Sequence, residues 1–294
     1  MERRKASDFP PEVMDLFDGY VHGRLSRRDF LDRAARYAVG GFTAVAMLEA
    51  LSPNFAWAEQ VKKDDSRIRA GYADFNSPQG SGKMRGYLAQ PARAGRSPGV
   101  VVIHENRGLN PYIEDVARRF AAEGFVALAP DALAPVGGYP GDEDKGREKF
   151  ASLDEAKVFE DLAAAVPYLK SRPECSGKVG AIGFCFGGGV VNQLAVRFPE
   201  LSAGVPFYGP QPPVADATKV KAAMQMHFAE KDPRVNANKD AWEAALKAAG
   251  AKAESHVYPG TQHGFHNDTT PRYDEAAAKL AWSRSLAWFK AHLG

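Results

Sequence analysis

Residues 179–189 read Val179-Gly180-Ala181-Ile182-Gly183-Phe184-Cys185-Phe186-Gly187-Gly188-Gly189. The first half is a short apolar run, as in a strand buried on both faces of a sheet, and the second half begins a helical pattern. Gly183 and Gly187 stand two positions before and after Cys185, as in a strained strand-turn-helix junction that leaves room only for small residues around a nucleophile. A helix N-terminus behind the cysteine favours the thiolate. The alternative is a buried, inert cysteine on a glycine-rich turn.

Strands and helices alternate around this junction. We predict an opening hairpin of residues 67–75 and 84–89, then strands at 100–103, 125–129, 179–184, 203–208, 224–228 and 254–258, and helices at 112–122, 153–169, 187–197, 237–249 and 271–292. Repeated strand-helix units specify a mostly parallel sheet covered by helices on both faces. The chain is therefore expected to form one α/β domain with a central sheet of about eight strands.

Composition excludes several classes of protein. The chain has 38 Lys and Arg against 36 Asp and Glu, a balance that disfavours a nucleic-acid binder, and its 45% hydrophobic residues exclude intrinsic disorder. Its 2 cysteines cannot form a disulfide framework or a four-cysteine zinc site. We expect an enzyme or a small-molecule binder without a metal or cofactor.

The first 58 residues resemble a twin-arginine export signal. Arg27-Arg28 precedes a mildly apolar run at 37–51, which is shorter than the roughly 20 residues of a membrane span. Ala56-Trp57-Ala58 suits a signal peptidase, so cleavage is predicted after Ala58. Residues 59–66 are expected to be a linker, residues 67–294 the folded domain, the export machinery a partner and the periplasm the location. An amphipathic N-terminal helix on a cytoplasmic protein is the alternative.

A thiol nucleophile requires a base, and in α/β-hydrolases the order is nucleophile, acid, histidine. His263 lies in the predicted loop between the last strand and the last helix, where that fold delivers its histidine. His266 is the rival. The remaining histidines after Cys185 are expected to be structural or exposed: His227, His256 and His292.

The acid is expected at the carboxyl end of the strand at 224–228. Asp232 is preferred because it lies three residues before Val235, a spacing common in this superfamily. Glu230 is the alternative, and either carboxylate could simply begin a helix.

Five motifs in order resemble the dienelactone hydrolase (carboxymethylenebutenolidase) family, over about residues 68–293. They are Gly183-Phe184-Cys185-Phe186-Gly187-Gly188, His104-Glu105-Asn106-Arg107-Gly108-Leu109-Asn110, Pro130-Asp131, Asp232, and His263-Gly264-Phe265. The resemblance implies an α/β-hydrolase fold and a small-molecule ester, lactone or thioester substrate. It also implies a Cys185-His263-Asp232 triad that works through a thioester acyl-enzyme.

The resemblance assigns further roles near the nucleophile. Glu105 would take the thiol proton when substrate binds, and the backbone N–H groups of Phe186 and Asn106 would form the oxyanion hole. A solvated Glu105 paired with Arg107 is the alternative. Two arginines that hold a substrate carboxylate in the family are unmatched here, one of them falling on Asn267. Arg107 and Arg272 are the candidates to replace them.

Three other functions remain open at this point. An exported thiol redox or peroxide-sensing protein is one, although a strand separates Cys175 from Cys185 by about 20 Å or more, too far for an internal disulfide. A non-catalytic binding protein on the same fold is another. The third is a metal site of His263, His266 and Asp268, which adjacent loop positions rarely form.

Overall fold

The computed structural model describes residues 4–294. Its centre is one sheet in the order β1-β2-β4-β3-β5-β6-β7-β8. The strands are β1 (Ile68–Ser77), β2 (Gly82–Pro91), β3 (Ser97–Ile103), β4 (Val126–Pro130), β5 (Cys175–Phe184), β6 (Ala203–Phe207), β7 (Ala223–Lys231) and β8 (Ala253–Gln262). The pairs β1–β2 and β2–β4 are antiparallel and all other neighbours are parallel. The predicted opening hairpin and mostly parallel sheet are confirmed.

Helices cover both faces of this sheet. In the body of the protein they are α4 (Pro111–Ala122), α5 (Glu143–Ala151), α6 (Glu155–Ala163), α7 (Ala165–Ser171), α8 (Phe186–Arg197), α9 (Pro233–Asn236), α10 (Lys239–Ala248) and α11 (Glu275–Leu293), and α1 to α3 lie before the sheet, at Pro11–Val21, Arg27–Ala34 and Ala44–Leu51. Val100 and Val102 of β3 point into one apolar core with residues of α4 and α11, whereas Val101 and Ile103 point into a second core with α8 and α10. Alternate side chains of one strand thus enter opposite layers, which explains its continuous apolar run.

The predicted helix at 153–169 is two helices, α6 and α7, and α5 adds a further helix before them. Pro167 is the third residue of α7. Its missing N–H falls in the first turn, where backbone N–H groups have no partner within the helix, so proline is tolerated there. A new helix therefore begins after α6, and α6 does not continue. The single-helix prediction was wrong for this reason.

The segment before the sheet has an apolar core of its own, formed by α1, α2 and α3. Its contacts with the body lie at the carboxyl edge of the sheet: Ala6 N–H donates to Pro271 O at 2.8 Å, and Asn54 N–H donates to Thr269 O at 2.8 Å. No helix among residues 4–294 is long and apolar enough to cross a membrane. Asn106 Nδ2 also donates to Val21 O at 3.0 Å, which places the end of α1 over the edge at which β5, β7 and β8 end.

Candidate active site

Cys185 occupies a strained turn between β5 and α8. Its backbone has φ 56° and ψ −114°, and residues other than glycine rarely adopt a positive φ. A Cβ on Gly183 would lie 2.2 Å from the Gly187 carbonyl oxygen, and one on Gly187 would lie 2.4 Å from Ile103 O. Both glycines are therefore required by close backbone approach, as the sequence predicted for a turn that displays its central side chain.

Asp232 and His263 form a buried pair beside this turn. Asp232 follows β7 and His263 follows β8, and His263 Nδ1 lies 2.5 Å from Asp232 Oδ2. The other carboxylate oxygen of Asp232 accepts the Val235 N–H at 3.3 Å and so caps α9. This cap explains the three-residue spacing from Asp232 to Val235, because an N-cap side chain reaches the N–H three residues on.

The alternative acid and base have other partners. Glu230 accepts the backbone N–H of Gly260 at 2.8 Å, and the Tyr112 hydroxyl lies 2.7 Å from His266 Nδ1. Burial lowers the pKa of His266 to about 3, assisted by the Arg119 charge. Both groups are therefore occupied in structural contacts away from the thiol.

The alternative metal group is not assembled either. Asp268 Oδ2 accepts hydrogen bonds from Arg119 Nη2 at 2.6 Å and Gln60 Nε2 at 2.5 Å. The Asp268 carboxylate thus joins the body to Gln60, in the segment before the sheet, and does not face His263. Within residues 4–294, the side chains whose ligand atoms converge are instead Cys185, His263 and His22.

His22 is the site residue that the sequence did not reveal. It follows α1, and its Nε2 lies 3.5 Å from Cys185 Sγ, while its ring centroid is 4.7 Å from that of His263. His22 Nδ1 is 2.8 Å from Asp18 O and 3.1 Å from Asp18 Oδ1. The spacing of Asp18 and His22 at the end of a helix is a local pattern, and nothing in it points to a cysteine 163 residues away.

The two imidazoles make Cys185 acidic. Burial alone would raise the pKa of the thiol, but the charge of His263 and hydrogen bonding by His22 and His263 hold that pKa well below its usual value. Burial likewise opposes a charged His263, yet the Cys185 thiolate and Asp232 raise its pKa to about 9. The resting site therefore favours a thiolate-imidazolium pair at neutral pH.

Glu105 is buried next to this pair. Its Oε2 accepts Asn267 Nδ2 at 3.0 Å, and burial together with the Cys185 charge raises its pKa. Arg107 instead pairs with Glu143 at 2.9 Å. The alternative of a solvated Glu105 paired with Arg107 was wrong, because Glu105 is buried and its carboxylate is held by Asn267.

The two proposed oxyanion residues lie close to these groups in the fold. Phe186 is the first residue of α8, so its N–H has no partner within the helix. Asn106 is the neighbour of Glu105, and its side chain donates to Val21 O at 3.0 Å, which ties this loop to the end of α1.

Arg272 lies in the wall of a cleft beside the site. Its side chain is 9% exposed, Nε and Nη1 have no hydrogen-bond partner among residues 4–294, and Nη1 is 3.8 Å from Asp18 Oδ1. The cleft, about 790 Å³, opens between α1 and the body and also reaches Asp232 and His263. Of the two substitute arginines, Arg272 is thus the one that lines the cleft, whereas Arg107 is engaged by Glu143.

The sheet order and the cysteine at the strand-helix turn define an enzyme of the α/β-hydrolase class. The dienelactone hydrolase family model matches residues 84–293, and the chain belongs to that family and is a hydrolase of its kind. A second family model, YqhI-like, matches residues 1–38.

Individual relatives agree with this assignment. "Putative hydrolase fragment YghX" of Escherichia coli is 58% identical over 113 residues, 38% of this chain and 97% of the relative. "Putative carboxymethylenebutenolidase" of Methylorubrum extorquens is 30% identical over 286 residues, 90% of this chain and 97% of the relative. A crystal structure described as "Putative Dienelactone Hydrolase from Klebsiella pneumoniae" superposes with TM-score 0.66 at 29% identity, covering 76% of this chain and 99% of the other.

Proposed function

We propose that this protein hydrolyses a carboxylic ester, lactone or thioester with Cys185 as nucleophile, His263 as base and Asp232 as the residue that orients His263. The observation that carries the proposal is the buried His263–Asp232 hydrogen bond of 2.5 Å beside a thiol on a strained turn. Nucleophile, base and orienting group in this order are what acyl transfer requires.

The reaction would proceed in two steps. The thiolate attacks the carbonyl carbon, a C–S bond forms, and the alcohol leaves with the proton held by His263. Water then gives a proton to His263 and attacks the thioester, which releases the acid and restores the thiolate. The N–H groups of Phe186 and Asn106 would stabilise the negative oxygen in both steps.

Glu105 completes the proposal as a proton acceptor for the thiol. Burial and the Cys185 charge raise the pKa of its carboxyl, so its carboxylate is a stronger base than a solvated one and can take the proton of any Cys185 that is present as the thiol.

Acid-quenched turnover of p-nitrophenyl acetate tests this function directly. Peptide mapping by mass spectrometry should show an acetyl group on Cys185 during steady state, because the thioester is a covalent intermediate. Oxidised Cys185 without acylation would contradict the hydrolase and favour the redox protein, in which case hydrogen peroxide rather than ester would modify the thiol. Neither turnover nor modification would favour a non-catalytic binding protein.

A substrate with a carboxylate is favoured by Arg272, which lines the cleft and whose Nε and Nη1 donate no hydrogen bond within residues 4–294. Arg272→Gln is expected to raise KM about 10-fold or more for an ester with a free carboxylate, the loss of one charge-assisted hydrogen bond. A neutral ester of the same acyl chain should keep its KM. Equal changes in KM for both esters would exclude carboxylate recognition by Arg272. Arg284→Gln, on α11, is the matched control.

We also propose that the twin-arginine machinery exports this protein. The side chains of Arg27 and Arg28 are 50% and 91% exposed, so both are accessible on the folded chain. Changing both arginines to lysine should keep the protein in the cytoplasm, measured by fractionation, whereas Arg33→Lys, later on α2, should not. Export of the double variant would contradict the signal. Cleavage after Ala58 would also remove His22 from the site.

A further inference from the structure

Three side chains from separate parts of the chain converge at the thiol. Cys185 Sγ, a nitrogen of His263 and a nitrogen of His22 all lie within 4.8 Å of one another. His22 comes from the segment that matches the YqhI-like model, whereas Cys185 and His263 come from the hydrolase match. The group is therefore complete only when the N-terminal segment lies on the body.

Each histidine is oriented by a carboxylate through its other nitrogen. His22 Nδ1 is 3.1 Å from Asp18 Oδ1, and His263 Nδ1 is 2.5 Å from Asp232 Oδ2. Carboxylate-histidine pairs of this kind commonly support metal-binding imidazoles, because they fix the ring and raise its basicity as a ligand. One such pair is explained by hydrolysis, but two around one sulfur are not.

The two outer nitrogens point toward the sulfur. His22 Nε2 is 3.5 Å from Sγ. His263 Nδ1 is taken by Asp232, which leaves its buried Nε2 for the group, and the ligand atoms of the three residues lie within 4.8 Å of one another. In a tetrahedral zinc site, Zn–S of about 2.3 Å and Zn–N of about 2.0 Å put sulfur and nitrogen roughly 3.6 Å apart. The His22 distance already matches, and the remaining separations, none above 4.8 Å, require a closure of up to about 1.5 Å.

The donor set selects the class of ion. One thiolate and two imidazoles suit a thiophilic divalent cation such as Zn²⁺, and three protein ligands leave a fourth position for water or substrate. Arg234 opposes binding, since its Nη2 lies 3.3 Å from His22 Nε2, but this contact is exposed and the long side chain can turn to solvent.

We propose that Cys185, His263 and His22 form a site for Zn²⁺ that the N-terminal segment completes. Binding releases the protons of the ligands and engages the sulfur that the proposed hydrolysis uses. The consequence for regulation rests on that proposed function: an enzyme with Zn²⁺ on Cys185 lacks a free nucleophile and is held inactive until the ion leaves. The binding site itself does not depend on turnover.

Titration of the full-length, tag-free protein with Co²⁺ tests the site without substrate. Wild type should show one thiolate-to-cobalt charge-transfer band with one ion bound per chain, and Zn²⁺ should abolish it. His22→Gln is expected to weaken binding about 10-fold to 100-fold or more, and Asp18→Asn, which keeps all three ligands, about 10-fold. Cys185→Ser should lose the band. His256→Gln, on β8 away from the thiol, is the matched control, and circular dichroism checks folding of each variant.

Absence of the band in wild type, or unchanged affinity in both His22→Gln and Asp18→Asn, would overturn the proposed site. Ester turnover is measured separately on the same preparations. Turnover without cobalt binding would support the proposed hydrolase function and contradict the metal site. Cobalt binding without turnover by the metal-free protein would support the metal site and contradict the proposed hydrolase function.

Discussion

Cys185→Ala is expected to lower kcat/KM for p-nitrophenyl acetate by about 1,000-fold or more, because alanine cannot form the covalent thioester. The residual rate would come from substrate binding and the oxyanion N–H groups, which the substitution leaves in place. The substitution adds no backbone strain at the positive φ of the turn, because alanine and cysteine both carry a Cβ. The measurement is initial-rate hydrolysis at pH 7 to 8.

Cys175→Ala is the matched control for this loss. Cys175 is the other free thiol, buried at the start of β5 in the core away from the turn. Its removal should leave kcat/KM within about twofold, although loss of buried sulfur costs some stability. Activity that survives in Cys185→Ala, or that disappears in Cys175→Ala while the protein stays folded, would refute Cys185 as nucleophile.

Asp232→Asn is expected to lower kcat by about 10,000-fold, the effect known for an amide in place of the orienting acid of a serine triad. The amide can donate to His263 Nδ1 and so stabilise the wrong tautomer, and it removes the negative charge that helps to hold the His263 pKa at about 9. Because Asp232 raises that pKa, His263 in the variant should lose its proton at a lower pH than in wild type. The checks are kcat against pH and an NMR titration of the histidine.

Glu230→Gln is the control for the acid. Glu230 is the carboxylate two residues earlier, and its side chain accepts the Gly260 N–H on the outer side of the loop. Its variant should retain kcat and the wild-type pH profile. If Glu230→Gln were the inactive variant and Asp232→Asn the active one, the assignment of the acid would be reversed.

Local sequence pattern predicted the fold and most of the candidate site. Each strand and helix has its own signal, such as the apolar run of β3 or the paired glycines around Cys185, and parallel strands bring their carboxyl ends to one edge. Asp232 and His263 could be predicted because each follows a strand that ends at this edge. The division of 153–169 was missed because Pro167 fits either a kinked helix or a new helix start.

Only the tertiary structure decided how the N-terminal segment meets the site. His22 reaches Cys185 because α1 packs across the sheet edge, and Asn267 rather than Arg107 bonds Glu105 because a loop returns beside it. Such contacts join residues 163 and 162 positions apart. Sequence spacing has a physical meaning only within one helix or strand, whereas the approach of distant side chains depends on how whole layers pack.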